Sequence, residues 1–218
     1  MKLFLPFLYT LTLYGTFVAG SLQIRDKSSQ TVNRPAFLKK TPWTTLIVAG
    51  LISAGLILQI ILPQLLALCM RNRLLILKGE LWRLITALFF QDGGLAGGIS
   101  NIVGLLFIGS LAEQFWTPKE WLIIFFIGGI LSEVAGFWWQ PSGAGNSVAN
   151  LCLAASVAFV CLNSHTSRSA RVLAIFSLAT VIPLLMVKDI HGAALVIGLF
   201  IAIVITWLDS NRQKNKSQ

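Results

Sequence analysis

The sequence predicts an all-α membrane protein, a bundle of six transmembrane helices with an interfacial first outer loop, and three observations predict it. Of its 218 residues 56% are hydrophobic and only 11% are charged, with a mean hydropathy of +0.78, which excludes an ordinary soluble domain. The apolar residues gather in six runs, near 44–68, 95–115, 121–139, 147–163, 170–187 and 190–208, each able to cross hydrocarbon as a helix at about 1.5 Å per residue. Trp116, Trp121, Trp138, Trp139 and Trp207 stand at the ends of these runs, where an indole is expected to keep its ring in the headgroup layer and its N–H hydrated.

At the N-terminus, Lys2 precedes an apolar stretch from Leu3 to Ala19 interrupted by Pro6. It fits a signal peptide cleaved near Ala19-Gly20-Ser21, an interfacial helix, or an extra span. Cleavage would leave five basic residues of the next loop outside, against the positive-inside rule, so an uncleaved extension is favoured. The expected organisation is 1-43 as this hydrophobic extension with a basic cytoplasmic linker, 44-210 as the transmembrane domain and 211-218 as a basic cytoplasmic tail. From Met70 to Gly94 the chain mixes Arg71, Arg73, Lys78, Glu80, Trp82 and Arg83 with apolar residues. That segment is too polar to span and too apolar to float free, so short interfacial helices are expected there.

The formal charge of +9 does not point to nucleic acid, because the basic residues are scattered along loops instead of gathered on one face. Lipid orientation accounts for them. Arg25, Lys27, Arg34, Lys39, Lys40, Lys119, Arg168, Arg171, Arg212, Lys214 and Lys216 fall inside, while Arg71, Arg73, Lys78, Arg83 and Lys188 fall outside. The C-terminus is then cytoplasmic, the second, fourth and sixth helices run inward from the outer surface, and the expected setting is the cytoplasmic (inner) membrane of a bacterium. If the N-terminal stretch spans, only Met1 changes side. Cys69, Cys152 and Cys161 read as packing residues, and no metal or cofactor is expected.

In this topology the sparse polar residues converge. Asn101 lies early in the second helix, Ser147 at the start of the fourth and His191 at the start of the sixth. Each alone has a bland explanation as interhelical glue; their common depth favours a joint role. Ser147, Ala154 and Ala158 share one helical face, as do His191, Ala194, Gly198 and Ala202, so two backbones can approach closely and bring hydroxyl and imidazole together. A serine beside a histidine is a nucleophile with its base. At a helix N-terminus Ser147 has backbone N–H groups to hold an oxyanion, Asn101 can add a donor, and Gly143 and Gly145 let the preceding loop bend. Glu133, a carboxylate within a span, should face a polar interior, orienting His191, lining a cavity or bonding another helix. Glu113 reads as a clasp between helices, and Trp82 and Arg83 as anchors of the outer loop.

Gly79-Glu80-Leu81-Trp82-Arg83, then Asn101, Gly109 to Glu113, Gly145-Asn146-Ser147, and His191 with Gly198 seven residues on together resemble the rhomboid family of intramembrane serine proteases over about residues 44 to 210. They stand for its Trp-Arg, His-x-x-x-Asn, Gly-x-x-x-Glu and Gly-x-Ser motifs and its last-helix histidine. The resemblance implies a rhomboid-like six-transmembrane-helix bundle around a water-filled cavity open to the outside, with Ser147 as nucleophile and His191 as general base. This is a dyad without a third carboxylate. It also implies a transmembrane protein as substrate, cut near the outer face of the lipid bilayer.

The chain departs from the pattern twice. Gly97 stands where the family has His; the loss of one oxyanion donor costs about 10²- to 10³-fold in rate, and Gln91 or Asn146 are the candidates to replace it. Val148 replaces the glycine after the serine and is expected to crowd the fourth and sixth helices. Two alternatives stay open: a catalytically inactive rhomboid-like protein that binds client helices, favoured by Gly97, and a small transporter using Glu133, Asn101 and His191. Against the transporter stands the lack of an internal repeat.

Overall fold

The computed structural model describes residues 4–29, 40–163 and 167–216. In chain order they form α1 (Phe4–Ser29), α2 (Trp43–Ile61), α3 (Gln64–Cys69), β1 (Arg71–Asn72), α4 (Arg73–Leu77), α5 (Arg83–Thr86), α6 (Gly94–Ala112) and α7 (Pro118–Leu122). After a π turn (Ile123–Ile127) come α8 (Gly128–Ala135), a tighter turn (Gly136–Trp138), β2 (Ser142–Gly143), α9 (Ser147–Asn163), α10 (Arg168–Ala179), α11 (Val181–Met186) and α12 (Ile190–Lys216).

Five stretches are long and apolar enough to cross a membrane: Trp43–Ile61, Gly94–Ala112, Pro118–Trp138, Arg168–Met186 and Ile190–Asn215. The chain is an integral multi-pass membrane protein. Its helix boundaries follow local chemistry. Pro63 follows the last residues of α2, where its missing N–H and its ring oppose continuation. Thr117 and Glu120 form a reciprocal capping box with Pro118 at the first helical position, and the Ser167 hydroxyl accepts from Ala170 N at 3.2 Å to cap α10.

The shorter apolar helix, α9, is the hub. Its residues from Val148 to Ala158 are buried, packed most extensively on α12 and also on α1, α6, α10 and α8. Small residues allow this, as the sequence suggested. A Cβ added at Gly198 would stand 2.5 Å from Cα and O of Cys152, so α12 meets α9 backbone to backbone. Val148 is buried without forcing these helices apart.

The N-terminal apolar stretch is part of this bundle. α1 packs on α10, α9 and α6 and buries Leu8, Leu13, Ala19 and Ile24, so a boundary drawn at residue 44 leaves out a packed helix. The expected basic linker lies, over residues 30–39, outside the described residues.

Two tryptophans differ from the expectation of a hydrated belt. Trp116 and Trp121 are buried and donate internally, to Ser156 Oγ at 3.0 Å and to Gly109 O at 3.1 Å. Trp138 and Trp207 are exposed. Glu113 ties two helices: it accepts from the N–H and hydroxyl of Thr45 at 2.5 and 2.7 Å, which places a carboxylate at the N-terminus of α2, where the dipole favours it.

The long loop between α2 and α6 contains the short helices α4 and α5 and leaves Leu74, Leu77, Leu81 and Trp82 exposed, the apolar face of an interfacial segment. Arg83 anchors it from within. It is buried, donates to the carbonyls of Ala67 and Met70 at 2.8 and 3.0 Å, and pairs with Glu80 at 2.7 Å. β1 pairs antiparallel with β2, Arg71 opposite Gly143, and fastens this loop to the segment that leads into α9.

Candidate active site

Ser147 begins α9 after a loop that is pinned on both sides. Gly145 N donates to Ala87 O at 2.8 Å, and Ala144 N donates to the Asp92 carboxylate at 3.0 Å. Gly145 has φ +152°, a conformation that suits glycine and strains other residues. The turn lifts Ser147 to the rim of the bundle, half-buried.

His191 reaches it from α12. Lys188, with φ +55°, turns the chain sharply out of α11, and Asp189 then starts the last helix. Asp189 Oδ1 accepts from the backbone N–H of His191 at 2.8 Å, an N-cap bond to the second helical residue. The same oxygen lies 2.5 Å from His191 Nδ1. His191 Nε2 is 2.9 Å from Ser147 Oγ. With Nδ1–H held by the carboxylate, Nε2 carries the lone pair and faces the hydroxyl. Burial pushes the Asp189 carboxyl up, but the hydrogen bond and electrostatic pull of the His191 ring, its backbone N–H and Gln140 together outweigh it and hold the group below the usual carboxylate value.

This geometry corrects the expectation of a serine and histidine with no third carboxylate. Asp189 supplies one, and it is legible as a helix cap two residues before the histidine. It also corrects the suggestion that Glu133 orients His191. Glu133 is buried and ion-paired with buried Arg71, whose guanidinium fits against Gly136 and Gly143.

The amides beside Ser147 bond to one another. Asn101 Nδ2 donates to Gln91 Oε1 at 2.8 Å and Gln91 Nε2 to Asn146 Oδ1 at 2.9 Å. Asn146 Nδ2 donates both to Asn150 Oδ1 at 3.0 Å and to Asn101 O at 3.2 Å, so both of its side-chain N–H bonds are used and its amide has no donor for a ligand. Asn101 retains one N–H. A Cβ added at Gly145 would stand 3.2 Å from Asn101 Nδ2, 3.3 Å from Gln91 Oε1 and 3.7 Å from Ser147 Oγ, so the bare glycine lets Asn101 and Ser147 lie close on either side of it. At Gly97 an added Cβ meets no atom within 4 Å.

Ser147 and His191 open onto a cavity of about 380 Å³ whose walls include Arg71, Asp92, Glu133, Gln140, Gly145 and Val148. It is polar and large enough for water and a short stretch of main chain. A half-buried hydroxyl against an imidazole backed by a carboxylate, with N–H donors alongside, is suited to attack on a carbonyl.

The family comparison supports the resemblance read from the sequence. The family model of the Rhomboid domain matches residues 78–212, which runs from the loop before α5 into the end of α12 and leaves α1 and α2 outside. No curated protein and no solved structure matches the chain. With more than half of its length matched, and with the all-α membrane bundle around it, the chain belongs to the rhomboid family.

Proposed function

We propose that this chain is an intramembrane serine endopeptidase that cuts a transmembrane segment of another membrane protein near the outer face, with Ser147 as nucleophile and His191 as general base. The observation that carries the proposal is the alignment of Asp189 Oδ1, His191 Nδ1, His191 Nε2 and Ser147 Oγ at 2.5 and 2.9 Å. Ser147 Oγ attacks the carbonyl carbon as its proton passes to Nε2. The oxyanion is held by the Ser147 backbone N–H at the start of α9 and by the remaining N–H of Asn101. Collapse expels the amine, which takes the proton from His191, and water then attacks the acyl-enzyme with the same imidazole as base.

The cavity admits that water to the site, which the surrounding hydrocarbon would otherwise exclude. The site end faces outward and the C-terminus lies in the cytoplasm of a bacterial cell, a polarity supported by the distribution of Lys and Arg. Labelling with a fluorophosphonate probe in detergent tests the proposal. Wild type should label and cleave a transmembrane substrate, while Ser147→Ala and His191→Ala should do neither. Cleavage by folded Ser147→Ala at the wild-type rate would refute it.

The inactive, client-binding reading rests on Gly97. The same probe separates it: a folded wild-type protein that never labels belongs to that class.

A further inference from the structure

Next to Ser147 the buried amides and one phenol form a closed circuit. Tyr9 Oη donates to Asn101 Oδ1 at 3.1 Å, Asn101 Nδ2 to Gln91 Oε1 at 2.8 Å, Gln91 Nε2 to Asn146 Oδ1 at 2.9 Å, Asn146 Nδ2 to Asn150 Oδ1 at 3.0 Å, and Asn150 Nδ2 back to Tyr9 Oη at 3.3 Å. Every member donates once to the next, in one direction. Such rings polarise each bond in the same sense.

The direction has a consequence for Asn101. Tyr9 accepts from Asn150, and its one proton goes to Asn101 Oδ1. That bond holds the amide with its oxygen toward α1 and its nitrogen toward Gly145 and Ser147. Without the phenol Oδ1 loses its donor and only the 2.8 Å bond from Nδ2 to Gln91 Oε1 still opposes turning the amide over, which would present an oxygen that repels a developing oxyanion where an N–H attracts it. The sequence places Tyr9 far from the other members, and close packing brings it in. An added Cβ at Gly104 would stand 3.4 Å from Tyr9 Oη and 3.0 Å from Leu13, while one at Gly15 would collide with Ser177 Oγ at 2.5 Å. The Tyr9 ring also lies against the His191 imidazole, 5.5 Å between centroids.

We infer that Tyr9 is a positioning residue of the site: the N-terminal helix closes the one-way ring and thereby aims the free N–H of Asn101 at the oxyanion. This rests on the serine-hydrolase reading and extends the site to α1, outside the matched family region.

A double-mutant cycle in proteoliposomes tests it, with kcat and KM for a transmembrane substrate and thermal unfolding for each variant. Tyr9→Phe keeps the ring and removes the donor; kcat should fall about tenfold with KM unchanged, the value of one hydrogen bond. Asn101→Ala should lose about 100-fold, and the double variant should be no slower than Asn101→Ala alone. An undiminished kcat in a folded Tyr9→Phe variant, or losses that add fully in the double variant, would overturn the inference. Failure of the underlying reading gives a different signature, wild-type cleavage by Ser147→Ala.

Discussion

Asp189→Asn keeps the shape of the side chain and removes its charge, which divides the two tasks of this residue. As a cap, Asn serves about as well as Asp, so the bond from the His191 backbone N–H, now 2.8 Å, should persist and thermal stability should change little. As the partner of the imidazole it is a poorer acceptor and no longer balances the imidazolium formed when Ser147 is deprotonated. A hydrogen bond between charged groups contributes about 1.5–3 kcal/mol. At about 1.4 kcal/mol per decade, kcat should fall about 10- to 150-fold with KM little changed.

Asp189→Ala should lose the same rate and also about 1 kcal/mol of stability with the cap. The assay is single-turnover cleavage of a reconstituted transmembrane substrate, beside thermal unfolding in detergent. A folded Asp189→Asn with the wild-type kcat would mean that the carboxylate only caps the helix. The pH dependence gives a second check. The folded-state carboxyl lies below its ordinary value, so its stabilising contribution is complete above the unfolded pKa of about 3.9 and disappears as pH falls through the lower, folded value. Any stability gap between wild type and Asp189→Asn should close in that acidic window and not between pH 5 and 8.

Gly198→Val places a Cβ 2.5 Å from the backbone of Cys152, which cannot move aside as a side chain can; overpacking should cost about 1–3 kcal/mol, seen in thermal unfolding, and an unchanged midpoint would contradict the close approach. Gly97→His enters open space one turn before Asn101 on the same helix face, so it should fold normally and raise the cleavage rate; an unchanged rate would mean that the donors already present suffice. For topology, single cysteines at Ser142 and Lys188, in a background without Cys69, Cys152 and Cys161, should react with an impermeant thiol reagent from outside. Those at Lys119 and Lys214 should be protected until the membrane is opened, and the opposite pattern would invert the orientation.

The spans and the meeting of Ser147 with His191 were legible because both depend on local pattern: runs of apolar residues, and small residues at helical spacing. Asp189 left a local signal too, an acidic residue two positions before a histidine at a helix start, which N-cap chemistry makes readable. Tyr9 left none. Its role depends on α1 lying against α6 and α9, a contact across 92 residues to Asn101. The indoles of Trp116 and Trp121 carry the same pattern as those of a membrane belt, and only their internal acceptors, Ser156 Oγ and Gly109 O, distinguish them. Gln91 and Asn146 were visible as polar residues near the loop, but whether an amide donates to a ligand or to its neighbour depends on the whole network.

Glu133 bears on the transporter alternative. An intramembrane carboxylate on an ion path must exchange protons or cations as it works, and so must be able to exist without a fixed counter-charge. Here the carboxylate is paired with Arg71, and both are nearly excluded from solvent. Separating such a pair leaves an uncompensated buried charge and costs about 3–5 kcal/mol, so the pair stays closed in the resting protein. Arg71 also donates to Ser142 O at 3.3 Å, and its strand pairs with β2. The pair therefore stiffens the segment that delivers Gly145 and Ser147. It is better suited to holding a nucleophile still than to passing an ion, and this places Glu133 with the scaffold of the cavity.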